Sequence, residues 1–192
     1  MKTLFAVTTR RGIEGVLLLM YELIDRCHEV HVVVINHPSE GLKYPHEFMV
    51  VDDELMLNLL PGVDSVTVIP EYNIAEFAKA VYNIDADIFI NKGDSGSPRD
   101  NGLIRTFRQV SSAPVLCQQM DWHIDWNSEP LSDYFNVSGE RWKKHLMRKG
   151  VSEDRVCVTG YPKSDILYKY FLSLKDVADN SGNVLVMSHP DW

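Results

Sequence analysis

Asp94, Asp121 and His123 are the side chains of this sequence best suited to moving a proton. Asp94 stands in "NKGDSGSPRD" (91–100), where Gly93 and Gly96 free the backbone and Ser95 and Arg99 add a hydroxyl and a cation. A carboxylate there could take a proton from a hydroxyl or bind the hydroxyl itself. A flexible loop closed by an Asx-turn would use the same residues. Asp121 and His123 stand in "CQQMDWHIDW" (117–126). His123 beside Asp121 or Asp125 has the makings of a general base. In the same stretch Gln118 and Gln119 bring amides, and Trp122 and Trp126 bring rings. That combination suits a sugar, whose C–H faces lie on aromatic rings while its hydroxyls bond amides. A packed loop anchored by its aromatics has the same composition. His123 with Asp125 lacks a third ligand, so zinc is set aside, and no cofactor is expected.

A second kind of chemistry is anion binding. In "TTRRGIEG" (8–15), Arg10 and Arg11 supply positive charge, and Gly12 and Gly15 allow close backbone approach. The N-terminus of the helix that follows favours an anion. The stretch is neither the dinucleotide fingerprint nor a P-loop, and a solvated turn explains it equally well. In "VTGYPKSDIL" (158–167), Pro162, Ser164 and Asp165 are good helix-start residues, and capping accounts for most of that choice.

All four stretches follow apolar runs, so the elements that carry them decide where they meet. The run at 2–7, a buried-helix pattern at 14–26 and the β-branched run at 28–36 make a βαβ start, which implies a parallel sheet. Strands are expected at 65–70, 87–91, 113–119, 133–138, 155–160 and 183–188. Helices are expected at 73–84, 100–110, 139–150 and 163–178, with a short one ended by Pro61 and Gly62. The expectation is about seven or eight strands alternating with about six helices, an α/β Rossmann-like parallel sheet with helices on both faces. In such sheets ligands bind outside the carboxyl ends of the strands, where the strand order reverses.

Bulk properties narrow the function class. Across 192 residues the net charge is −8, which argues against a nucleic-acid binder while leaving room for a local basic patch. No apolar stretch approaches the roughly 20 residues of a membrane span, which leaves only peripheral contact with a membrane. "MKTLFAVTTRRG" has too short an apolar run for a secretory signal, so a cytoplasmic location is expected. Cys27, Cys117 and Cys157 lie in or beside apolar runs without CxxC spacing, which reads as buried free thiols in a reducing compartment.

One segment carries a family pattern. "FNVSGERWKKHLMRKGVSEDRVCVTGYPKSDIL" (135–167) resembles the end of the N-terminal domain of GT-B-fold nucleotide-sugar enzymes, through Ser138, Glu140, Leu146, Gly150, Val151, Val158, Thr159, Gly160, Asp165 and Leu167. UDP-N-acetylglucosamine 2-epimerases and CDP-glycerol glycerophosphotransferases are the members it is most similar to. The resemblance aligns Arg10 with a nucleotide-contacting Arg, Asp94 with an active-site Asp, and His189 with the His of a His-Arg pair in which Pro190 replaces the Arg. It departs where the epimerases carry His-Val-Glu-Ala-Gly: here "QQMDWH" has no Glu, and Asp121 is a shorter substitute.

The resemblance implies a GT-B N-terminal, acceptor-side domain over 1–178, with 179–192 as a linker and the first strand of a donor domain. It implies transfer of a sugar or glycerophosphate from a nucleotide donor to an acceptor hydroxyl. Asp94, Asp121 or His123 would be the base. Arg10, Arg11, Gly12, Ser95, Arg99, Gln118, Gln119, Trp122 and His189 would bind substrate. An epimerase-like enzyme and a non-catalytic sugar- or nucleotide-binding domain are the alternatives. The exposed cleft face of a half-enzyme would favour homo-oligomers.

Overall fold

The computed structural model describes residues 1–8, 10–35, 61–69, 73–94, 98–119 and 129–160; for Arg10, Arg11, Gly12, Glu14, Pro98, Arg99 and Asp100 it describes the backbone alone. The expected helices at 52–60 and 163–178 and the strand at 183–188 lie outside the described residues.

Seven strands form one sheet: β1 (Lys2–Val7), β2 (Glu29–Ile35), β3 (Ser65–Ile69), β4 (Ile88–Asn91), β5 (Val115–Gln118), β6 (Tyr134–Val137) and β7 (Val156–Val158). Every pairing is parallel, in the order β3-β2-β1-β4-β5-β6-β7. The fold is therefore the Rossmann-like α/β class expected. The chain works outward from β1 to β3, then returns to lay β4 against β1 and works outward to β7. The strand order reverses between β1 and β4, where Ala6 pairs with Asn91.

Central strands of a parallel sheet are covered on both faces and so read as unbroken apolar runs. In β1, Leu4, Phe5, Ala6 and Val7 are all buried, their side chains alternating between two clusters. One face packs on α1 (Arg10–Asp25) through Ile13, Val16 and Met20. The other packs on α2 (Ile74–Ile84) and α3 (Pro98–Val110), where Phe89 stacks on Phe107 at 4.7 Å and tilts against Phe77 at 6.1 Å. Replacing such a buried Phe by Ala costs about 3–5 kcal/mol. On that same face, farther along, α4 (Glu140–Arg148) buries Leu146 against Phe135, Val137 and Val156.

Local chemistry sets the helix ends. Asn73 caps α2, its Oδ1 accepting from the Ala75 and Glu76 amides at 3.0 and 3.2 Å. Beyond α4, Gly150 takes φ +88°, the left-handed turn that a side chain disfavours. Two helices begin earlier than their apolar periods predict. α3 starts at Pro98, whose missing N–H costs nothing in a first turn. α1 starts at Arg10 rather than residue 14, because Ile13 belongs to the stripe it shares with Val16 and Met20. Arg10, Arg11 and Gly12 are thus helical rather than part of a strand-to-helix corner.

The cysteines also depart from expectation. All are free, but only Cys117 is buried; Cys27 and Cys157 are exposed. Cys27 follows α1 with φ 59° in the turn before β2. Cys157 lies on β7, the outermost strand among the described residues. Among the described residues no helix is long and apolar enough to cross a membrane.

Candidate functional site

Parallel topology puts every strand's carboxyl end on one edge of the sheet. That edge holds Thr8 and the first turn of α1 after β1, Asn91 to Asp94 after β4, Gln118 and Gln119 at the end of β5, and Ser138 after β6. Arg10, Arg11 and Gly12 and the residues after β4 therefore flank the reversal of strand order. The first turn of α1 contains no acidic residue, and the positive end of a helix dipole favours an anion. Arg99 is the second residue of α3. Ser95, Asp121, Trp122, His123 and His189 lie outside the described residues.

Asp94 is the most tightly held of the expected residues. It is 1% exposed, and its Oδ1 and Oδ2 accept from the Leu131 amide at 2.9 and 2.8 Å. Oδ2 also accepts from the Ser132 amide in a short hydrogen bond. The rest of that segment is equally occupied. The Leu131 carbonyl accepts from Arg108 Nη2 at 2.7 Å, and the Ser132 carbonyl accepts from Arg155 Nη2 at 2.7 Å. The Asp133 carbonyl accepts from Arg155 Nε, and the Asp133 amide donates to the Val115 carbonyl at 2.8 Å. The Asp133 carboxylate accepts from the Val115 amide at 2.8 Å and from Arg108 Nη2 at 2.9 Å. Every backbone N–H and C=O from Leu131 to Asp133 thus has a partner, five of the six supplied by side chains. Asp94 is a tether for the chain entering β6, and its proton-accepting lone pairs are turned to backbone donors.

Gln118 and Gln119 are each 2% exposed. Asn136 Nδ2 donates to Gln118 Oε1 at 3.0 Å, across a register in which the two residues face each other. Ser138 donates to Gln119 Oε1 through its amide at 3.0 Å and its hydroxyl at 3.4 Å. The two sets differ in what is left over. Gln118 Nε2 reaches only the Gln119 carbonyl, at 3.5 Å, the limit of a hydrogen bond. Asn136 Oδ1 accepts nothing among the described residues. A buried amide donor and a half-buried amide acceptor stand side by side with capacity to spare. Asn136 and Ser138 escape a search for catalytic residue types; the signal for them is their place opposite the Gln pair in the β6 register.

Asn91 is fully buried at the end of β4. Its Nδ2 donates to the Gly93 carbonyl at 2.8 Å and its Oδ1 accepts from the Lys92 amide at 3.1 Å, which shapes the turn that delivers Asp94. Ser132 Oγ is buried without a partner among the described residues.

No protein-family model and no curated protein sequence matches the chain. Solved structures match its fold. A UDP-GlcNAc 2-epimerase from Neisseria meningitidis bound to UDP-GlcNAc superimposes with a TM-score of 0.58 at 17% identity, over 91% of this chain and 51% of that one. A putative UDP-N-acetylglucosamine 2-epimerase from Listeria monocytogenes gives 0.60 at 14% identity, over 99% and 50%. The apo lipopolysaccharide outer core galactosyltransferase WaaB gives 0.53 at 12% identity, over 83% and 45%. The chain spans about half the length of these proteins. The likeness is one of fold: the Rossmann-like sheet that the GT-B resemblance at 135–167 implies.

Proposed function

We propose that this chain is the acceptor-side domain of a nucleotide-sugar enzyme of the GT-B type, transferring a sugar or glycerophosphate from a nucleotide donor to an acceptor hydroxyl. The observation that carries the reading is the strand order reversing between β1 and β4, with a helix N-terminus free of acidic residues on one side and the Asn91 turn on the other. In this reading residues 1–178 form the acceptor-side domain, and 179–192 lead into a donor-side domain.

The roles follow the residue types and their places along the chain. Arg10, Arg11 and Gly12 meet anionic groups of the donor at the α1 N-terminus, with Arg99 at the start of α3, Ser95 before it in sequence and His189 from beyond the linker. Gln118, Gln119 and Trp122 meet the acceptor. His123, oriented by Asp121, removes the acceptor proton as the new bond forms. Asp94 holds the segment entering β6. A cytoplasmic location suits a chain with three free cysteines.

An epimerase-like enzyme is the second reading, favoured by two of the three folds above being such epimerases or putative ones. The missing Glu after β5 counts against it, because "QQMDWH" offers only the shorter Asp121 in its place. The test is to incubate the natural gene product with radiolabelled UDP-GlcNAc and CDP-glycerol. Label appearing on a hydroxyl acceptor, with kcat reduced about 10²- to 10⁴-fold in His123→Ala, supports transfer. Conversion to the free epimer supports the second reading. Neither turnover nor binding of any nucleotide donor overturns both.

A further inference from the structure

We infer that the outer side of α4 is a docking surface for an anionic lipid bilayer, made by Arg141, Lys144 and Arg148 with Met147 and Lys149 beside them. Five of the chain's 19 Lys and Arg residues fall within 140–149, against one of its 27 Asp and Glu residues. At 3.6 residues per turn, Arg141, Lys144 and Arg148 lie within about 60° of one another around the helix and along about 10 Å of it. Leu146, the residue that α4 buries, points the opposite way. The row is therefore turned away from the sheet, and all three cations are exposed, as are Met147 and Lys149. Among the described residues the helix cation with an ion pair is Lys143, on the flank, which meets Glu153 at 2.8 Å.

Helix stability does not account for this pattern. Arg148 in the last turn and Lys149 at its cap favour the dipole, but Arg141 in the first turn opposes it and Lys144 stands mid-helix. The occupant must be anionic, and two features select a bilayer. The chain carries −8 overall, so a nucleic acid tracking across it would meet carboxylates. A flat surface touches one helix, and charges beyond about 10 Å are largely screened at 0.1 M salt. Met147, 40% exposed beside the row, offers the apolar side chain that an interfacial helix sets at the headgroup boundary. Trp142 packs against the buried cluster rather than offering a base a ring to stack on. Membrane docking goes beyond the transferase reading and does not rest on it.

The test sediments the full chain with vesicles of phosphatidylcholine alone and with vesicles in which about a third of the lipid is phosphatidylserine. Binding should require the anionic lipid, and raising the salt from about 0.1 to about 0.5 M should weaken it about tenfold. Lys144→Gln combined with Arg148→Gln should weaken it about 25-fold, since each cation near such a surface contributes about fivefold. Lys79→Gln combined with Arg105→Gln removes the same charge from exposed positions on α2 and α3 and should bind like the parent. All four positions are exposed, so both double variants should melt with the parent. No binding to the anionic vesicles, equal binding to the neutral ones, or equal weakening in the two double variants would each overturn the inference. Tighter binding to single-stranded DNA than to anionic vesicles would also overturn it, in favour of a nucleic-acid surface. No nucleotide donor enters the assay, so failure of the transferase reading would leave this result untouched.

Discussion

Two polar regions on neighbouring strands of this sheet behave in opposite ways. At Leu131, Ser132 and Asp133 every backbone group is matched, with Asp94, Arg108 and Arg155 reaching in from three other places in the chain. At Gln118 and Asn136 two amides satisfy one of each other's groups and leave a donor and an acceptor over. The first region contains the charged residues that a search for chemistry picks out. The second contains only amides. The difference is one of remaining capacity: a saturated cluster holds the chain in place, and an unsaturated one can bind.

Breaking the clamp should have the largest effect. Asp94→Ala strands the Leu131 and Ser132 amides in a buried site, at a cost of about 3 kcal/mol in urea unfolding. Asp94→Asn should recover part of this, since its carbonyl oxygen still accepts. If Asp94 instead acts as the base, Asp94→Asn would keep full stability and lose turnover. Arg155→Met comes next, because it removes two charge-assisted bonds to carbonyls; the expected loss is about 2 kcal/mol. Arg108→Ala should cost about 1 kcal/mol or less, since its ion pair with Asp133 is partly exposed on both sides.

On the other side of the comparison, Asn136→Ala should cost about 1 kcal/mol, because it removes a single neutral hydrogen bond and leaves Gln118 Oε1 without that donor. A loss as large as that of Asp94→Ala would erase the distinction between the regions.

The smallest expected effect belongs to α4. Burial, then the cations of Lys149 and Arg148, hold His145 below its ordinary value of 6.5. The fold therefore prefers the neutral imidazole more than the unfolded chain does. That stabilisation is present above about pH 6.5 and is lost as pH falls toward the lowered folded value. Urea midpoints measured from pH 7.5 down to 5 should fall more steeply for the parent than for His145→Gln.

Much of the fold was legible because parallel strands covered on both faces write themselves as apolar runs. "KTLFAV" and "HEVHVVVIN" are unambiguous for that reason, and both are strands. The helix starts were less so. Gly12 and Gly15 look like turn residues, yet Ile13 had to join the apolar stripe, and packing overrode propensity. Cys157 differs because "RVCVTG" reads as a buried strand, while β7 is outermost among the described strands, and that position is a property of strand order. At the site, Gln118 was visible from its place after a strand. Asn136 was not, because nothing in "DYFNVS" marks Asn until the register sets it against Gln118. The tethering of Asp94 was equally hidden, since its partners are backbone amides 37 and 38 residues away.

The most direct measurement is amide hydrogen exchange at Leu131 and Ser132 in the parent and in Asp94→Ala. The account predicts that both amides exchange much faster in the variant while the Gln118 and Asn136 backbone amides keep nearly the parent's protection. Unchanged protection at Leu131 and Ser132 would contradict it.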